Sequence, residues 1–582
     1  MNKEKVCSAE EASLKSLFLG PQAENREWVS SQIQLLLQSW FQWRSEFRPA
    51  DGRAISEADI ASPAYRERRA HTEEVLRELA ARFEKEIPKF SPRYIGHMFS
   101  EISLPSLFGH ILTLLHNPNN ISGESSRFGV LVEEEAVAAL AQMVGFPSQA
   151  IGHFTSGGTI ANFEAVYRAR TRCYSWMSAG VDTPLSVFES SAKGWDRFKE
   201  ISQTTPESRE EFNPFAGNPF AVAARISAKI DRPFLGPVLL VPEHKHYSWT
   251  KSANVFGLGA EAFWSVALNE KGHLDVADLR EKIYKAQRED RPIVMIVSVV
   301  GTTELGMIDP VDEVQNLLDL LKKNHGWHLW HHVDAAYGGF MCSLTGEQAE
   351  VREVLSSEGQ SALKAVGRVD SITIDPHKLG YVPYSSGAFI AADSRDYYQS
   401  SFGAPYVDFS RSVDKGPFTL EGSRSAAGAV ATWMASQCVG LSQDGYGRII
   451  ARTIRLRREF EAHLQESIPD IYLAPHVDAN LLGFCIAKKG ESLQTTNERT
   501  LRLYHLLNEG PEFSVSKTKL TSRNYKKYFQ HLTSSWNAQH DSEELALIRL
   551  CIMNPFFKSV EMNVSYQELF VKTVQGCVQT IG

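Results

Sequence analysis

Residues 371–384 read Ser-Ile-Thr-Ile-Asp-Pro-His-Lys-Leu-Gly-Tyr-Val-Pro-Tyr. Ser371-Ile372-Thr373-Ile374 has the composition of a short buried strand, which places Lys378 just past a strand end. Strand ends in α/β sheets are where loops converge on a ligand crevice. A lysine held there is costly as an ammonium and useful as a neutral amine that forms a Schiff base with an aldehyde. A lone loop lysine is ordinarily solvated. The reading of Lys378 therefore depends on what the other strand ends supply.

They supply matching chemistry. His332-Val333-Asp334-Ala335-Ala336-Tyr337 follows the apolar run His328-Leu329-Trp330, a second strand that runs into small residues. An Asp at such an end suits the protonated nitrogen of a pyridine ring, and Ala336 leaves room for a flat ring to approach. Helix capping is the competing role for Asp334. Phe154-Thr155-Ser156-Gly157-Gly158-Thr159-Ile160-Ala161-Asn162 opens a helical pattern, with Thr159 as the predicted N-cap. A helix start opened by glycines offers backbone N–H groups to an anion such as phosphate. The stretch has neither the Walker pattern nor a full G-x-G-x-x-G. The strand Val238–Val241 leads to Pro242-Glu243-His244-Lys245-His246, and Ile293–Val300 leads to Gly301-Thr302-Thr303. A zinc reading of His244/His246 or His331/His332 competes, but structural zinc sites favour cysteine pairs at fixed spacing and the chain has none. No metal is expected. Amine, carboxylate, phosphate cradle and imidazole are together the parts that pyridoxal 5′-phosphate requires.

In this order the motifs resemble the group II pyridoxal-phosphate-dependent amino-acid decarboxylases. Arg93-Tyr94-Ile95-Gly96-His97-Met98, Asn117-Pro118-Asn119-Asn120, residues 375–384 and Leu420-Glu421-Gly422-Ser423-Arg424 narrow the likeness to the bacterial tyrosine (aromatic L-amino acid) decarboxylases. The likeness is best over residues 80–440. It implies an α/β fold type I pyridoxal-phosphate enzyme, aspartate-aminotransferase-like, with a large, mostly parallel mixed sheet and a smaller C-terminal α+β domain. It also implies that Lys378 anchors the cofactor, Asp334 holds the pyridine nitrogen and His246 stacks on the ring. Thr303 and Ala336 flank that ring. Gly157, Gly158, Thr159 and Asp375 match phosphate-loop positions, and His377 is a plausible base. Ser423 is a contact from the partner subunit or a helix cap. His97 and Tyr384 match substrate positions, and Tyr406 rivals Tyr384 as donor of a proton to Cα. The implied reaction is decarboxylation of tyrosine, 3,4-dihydroxyphenylalanine or phenylalanine. Arg127 keeps an acidic amino acid open as substrate, and an aminotransferase or aldehyde-forming relative shares the same cofactor set.

Composition agrees with a large soluble enzyme of two or three domains: 582 residues, a net charge of −8 with mixed signs, and seven dispersed cysteines without a C-x-x-C pair. No nucleic-acid or membrane partner is expected from that charge pattern. Without an apolar leader or span, the expected compartment is the cytoplasm. Residues 1–115 read as a helical arm, which in the family wraps a second copy in a homodimer, with packing on its own domain as the alternative. Residues 116–425 alternate strands and helices as the large cofactor-binding domain, and 426–582 form the small domain with strands near 481–486 and 547–553. The helical pattern at 311–321 lies between two buried strands and predicts a βαβ unit with parallel strands. The polar stretch 194–218 reads as an insertion or surface loop.

Overall fold

The computed structural model describes residues 9–204, 208–399, 401–403, 405, 409, 413–510, 512–558 and 565–581. Its centre is a seven-stranded sheet in the order β1-β7-β6-β5-β4-β2-β3. The strands are β1 (Ile151–Thr155), β2 (Val238–Pro242), β3 (Phe263–Val266), β4 (Ile293–Val299), β5 (His331–Ala335), β6 (Ser371–Ile374) and β7 (Gly387–Ala391). Neighbours β3, β2, β4, β5 and β6 pair in parallel, and β7 alone runs against both β6 and β1. A parallel sheet must be covered on both faces, and every residue of β2, β4, β5 and β6 is buried. β4, Ile-Val-Met-Ile-Val-Ser-Val, shows why: a run rich in β-branched residues suits a strand with no wet face.

The helix Val311–His325 joins β4 to β5 as the predicted crossover. Asp312 and Glu313 in its first turn and Lys322, Lys323 and His325 in its last complement the helix dipole. Its buried stripe is Val311, Val314, Leu317, Leu318 and Leu321. The helix Gly158–Gly180 lies across the opposite face, with Ala161, Ala165, Val166 and Ala169 packed with residues of β2, β4 and β7. Burying each such aliphatic side chain contributes about 1–3 kcal/mol.

A second, antiparallel sheet is ordered β10-β11-β9-β8, from β8 (Ile471–Leu473), β9 (Leu481–Ile486), β10 (Ser516–Thr521) and β11 (Glu544–Cys551). The chain at Tyr94–Gly96 lies on this sheet although it is remote in sequence. Ile95 donates its amide to Ser514 O at 3.0 Å, and Cys551 N donates to Ile95 O at 2.8 Å. Ile95 is also buried in the apolar core of this sheet.

Two local expectations are corrected. Residues 195–204 and 208–211 are helical rather than loop. Trp195, Phe198 and Ile201 fall at spacing three, and the Trp195 ring meets Trp176 edge-on at 5.3 Å, so a polar stretch still carries one apolar stripe. The glycine-opened helix starts at Gly158 with Gly157, not Thr159, at its cap. Among the described residues no helix is long and apolar enough to cross a membrane.

Candidate active site

The carboxyl ends of β1, β2, β4, β5 and β6 surround one cavity of about 310 Å³. Its lining includes Gly157, Gly158, Thr159, His246, Thr303, Asp334, Ala336, Asp375, His377, Lys378 and Tyr384, brought together from distant stretches of chain. Ser423 and His97 are not in the lining.

At the end of β6 the chain turns tightly, Lys378 N donating to Asp375 O at 3.0 Å. That turn folds the Lys378 side chain back, so that Nζ stands 3.1 Å from Asp375 Oδ2. The second carboxylate oxygen of Asp375 is buried without a partner. His377 accepts the Ser386 amide on Nδ1 at 3.1 Å, which leaves its proton on Nε2. Its ring stacks on Tyr384 at 4.2 Å and 29°. Burial pushes the His377 imidazole below its ordinary value, against the pull of Asp375.

Two glycines make the cradle. Gly157 has φ +149°, a conformation open to glycine, and a Cβ at Gly158 would stand 2.8 Å from Asp375 Oδ2 and 2.9 Å from Ala336 Cβ. Any side chain at Gly158 would push these elements apart. The Gly158 and Thr159 amides precede the helix's own i→i−4 bonding and face the cavity end of the helix. Behind the cradle a buried ion cluster holds the frame: Arg424 pairs with Glu133, and Arg168 and His153 with Glu164.

Asp334 lies within β5 and caps no helix, since the following turn of helix has Tyr337 at its cap without a side-chain bond. Its Oδ2 accepts from Trp249 Nε1 at 2.8 Å and Asn162 Nδ2 at 2.9 Å, while Oδ1 takes only the Ala336 amide at 3.3 Å. His246 caps the helix Tyr247–Val255 and accepts the Ser248 amide on Nδ1 at 3.3 Å, so Nε2 carries its proton. Burial pushes this imidazole down as well, with Asp334 pulling the other way.

Three further histidines have partners of their own, His244 while also lining the cavity. His244 Nε2 meets Asp309 Oδ1 at 2.8 Å. His331 lies between Ser298 and Gln315, and His332 between Ser371 and Thr373. Among the described residues no group of three His, Cys, Asp or Glu side chains could hold a metal ion.

His97 is exposed and reaches the site through rings: it stacks on Phe99 at 5.9 Å, and Phe99 meets Tyr384 edge-on at 6.1 Å. Ser423 is exposed in an adjoining cleft that shares Ser156 and Tyr384 with the cavity, and its Oγ accepts from Asn119 Nδ2 at 3.0 Å. The Asn117–Asn120 and Leu420–Arg424 stretches thus pair with each other, with Asn120 N donating to Arg424 O at 2.7 Å. Arg127 is exposed and outside the cavity lining, and Tyr406 lies outside the described residues. Sequence reasoning missed Asn162, Ser248, Trp249, Phe99 and Tyr337. Only Asn162 carried a signal: four residues past Gly158, it shares the helix face that meets the cavity.

The donor set fits pyridoxal phosphate: an amine, a carboxylate with one lightly used oxygen, a glycine cradle at a helix start and a neutral imidazole. Residues 231–486 match the pyridoxal-dependent decarboxylase conserved domain. The chain carries a pyridoxal-dependent decarboxylase domain and is a pyridoxal-phosphate-dependent amino-acid decarboxylase. It is 29% identical to an L-tyrosine decarboxylase of Enterococcus faecium across 97% of this chain and 98% of that one. It is 28% identical to an L-tyrosine decarboxylase of Levilactobacillus brevis across 99% and 97%. A crystal structure of mouse CSAD shares the fold, with a TM-score of 0.61, 20% identity and 88% of each chain covered.

Proposed function

We propose that this protein decarboxylates an aromatic L-amino acid, tyrosine first, to its amine and carbon dioxide, as a homodimer in the cytoplasm. The observation that carries the substrate class is the cavity wall. Among the described residues its lining contains no arginine, and Tyr384 in that lining continues outward through ring contacts to Phe99 and Tyr94. Glutamate or aspartate needs a buried cation for its side chain, whereas a phenol ring needs flat apolar walls with a polar end. The relatives named L-tyrosine decarboxylases point the same way.

Pyridoxal phosphate, when bound, supplies an aldehyde for amine exchange and a ring that takes up the electron pair left as carbon dioxide departs. The residues of this chain then have separable tasks. Lys378 provides the amine, and Asp375 holds it at the end of its turn. Asp334 keeps a negative charge against the pyridine nitrogen, with Thr303 and Ala336 beside the ring. Gly157, Gly158 and Thr159 offer amides to the phosphate. His246 presents Nε2–H over the ring. Tyr384, whose phenol burial raises above the ordinary value, stays protonated at neutral pH and is placed at the rim to return a proton to Cα. His97 orders the rim through Phe99.

Assembly follows from the arm. The helix Pro63–Phe83 buries none of its residues in its own chain, and Val75, Leu76, Leu79 and Phe83 are exposed on it. An isolated apolar surface of that kind marks an interaction site, which supports a second copy as its cover. The chain then divides into a dimer-wrapping arm at 1–115, a cofactor-binding domain at 116–425 and a small domain at 426–582. Exposed Ser423 offers its hydroxyl to the neighbouring subunit's cofactor phosphate. Cys173, Cys342, Cys438, Cys485, Cys551 and Cys577 are all free, as a reducing compartment keeps them.

Carbon dioxide release measured across the twenty amino acids, with the organic product identified, tests the assignment. Tyrosine should lead, with 3,4-dihydroxyphenylalanine and phenylalanine close behind, and an amine should be the product. A preference for glutamate or aspartate, or an aldehyde or oxo acid as product, would overturn it.

A further inference from the structure

Four side chains form one directed chain of hydrogen bonds at the floor of the cavity. A carboxylate only accepts, so both protons of the Asn162 amide nitrogen are committed as donors: one to Asp334 Oδ2 at 2.9 Å, one to Ser248 Oγ at 3.1 Å. Ser248 Oγ, having accepted, donates its own proton to His246 Nδ1 at 2.9 Å. The Trp249 indole N–H lands on the same oxygen of Asp334 as Asn162 does. Asn162, Ser248 and Trp249 are all buried, so neither water nor an alternative rotamer replaces these bonds cheaply.

We infer that Asn162 and Trp249 are positioning residues for the cofactor nitrogen. By saturating Oδ2 they leave Oδ1 of Asp334 to the pyridine nitrogen, and through Ser248 the same network holds His246 in its Nε2–H form. The carboxylate that would meet the pyridine nitrogen and the imidazole that would stack on the ring are thereby set by one network. This rests on the role proposed above for Asp334.

The test uses the holoenzyme reconstituted with pyridoxal phosphate labelled with nitrogen-15 in the ring, whose shift reports protonation of that nitrogen. Wild type, Asp334→Asn, Trp249→Phe and Asn162→Leu are compared at saturating cofactor. The expected pattern is a protonated nitrogen in wild type, a large displacement of the signal in Asp334→Asn, and a smaller one in the same direction in Trp249→Phe and Asn162→Leu. Turnover in the last two should fall roughly tenfold or more, the size of a lost hydrogen bond to a charged group. KM should change far less than kcat. If Asp334→Asn moves the signal while Trp249→Phe and Asn162→Leu keep the wild-type shift, the network is only packing and the inference fails. If Asp334→Asn leaves the signal unmoved, the role of Asp334 itself fails. Trp249→Phe preserves the buried ring, so a folded variant is available even where Asn162→Leu does not accumulate.

Discussion

Lys378 Nζ and Asp375 Oδ2 stand 3.1 Å apart across a single turn at the carboxyl end of β6, with Gly158 directly opposite Asp375. The turn places the amine, and the glycine leaves room for the Asp375 carboxylate beside it. Because a side chain at position 158 would meet Asp375 at once, the cradle and the lysine turn constrain each other.

The covalent anchor is tested by borohydride reduction of the holoenzyme followed by peptide mapping. The pyridoxyl group should be found on Lys378, and Lys378→Ala should lose nearly all kcat while still taking up cofactor noncovalently. A label on another lysine would sink the central assignment.

The carboxylate assigned to the pyridine nitrogen is tested by Asp334→Asn. Asparagine keeps the shape, and its side-chain oxygen at the Oδ2 position still accepts from both Trp249 and Asn162, but it carries no charge. Turnover should fall by at least ~10². Near-normal rates would mean that Asp334 serves only the architecture.

Acid should weaken the fold through the β5 histidines. Burial pushes His331 down to about 3 and His332 down to about 4. Both are therefore neutral when folded, while the unfolded chain protonates each as the pH drops below the ordinary imidazole value. Stability contributed by their neutral, hydrogen-bonded forms is present above that value and is lost as pH falls towards the folded values. At pH 5 the loss is roughly 2 kcal/mol for each. Urea titrations at pH 7.5 and pH 5 should show this drop, and His331→Gln should reduce it. An unchanged pH slope in that variant would show that His331 does not contribute.

The arm makes its own prediction. Leu76→Glu with Phe83→Glu changes only exposed side chains, so the fold of one chain should survive. Light scattering should report a monomer, with activity lost along with the dimer. A fully active monomer, in wild type or variant, would refute the obligate homodimer.

The family, the fold class and the cofactor were legible in the sequence because their signals are local. The Gly157-Gly158 pair, the strand Ser371–Ile374 followed by Lys378, and the crossover helix between β4 and β5 each depend on a few neighbouring residues and on the helical or strand period. Residues 195–204 misled because their polar composition hides a stripe of three apolar side chains at helical spacing. Tertiary structure alone decided which partners Asp334 has, since its donors lie 172 and 85 positions away in the chain. It alone laid Tyr94–Gly96 on the small sheet, and left the helix Pro63–Phe83 without a buried face of its own. A side chain's type and period say that it is able to donate, stack or be buried. Which group it meets depends on closing the chain in three dimensions, and periodicity along the chain contains no record of that closure.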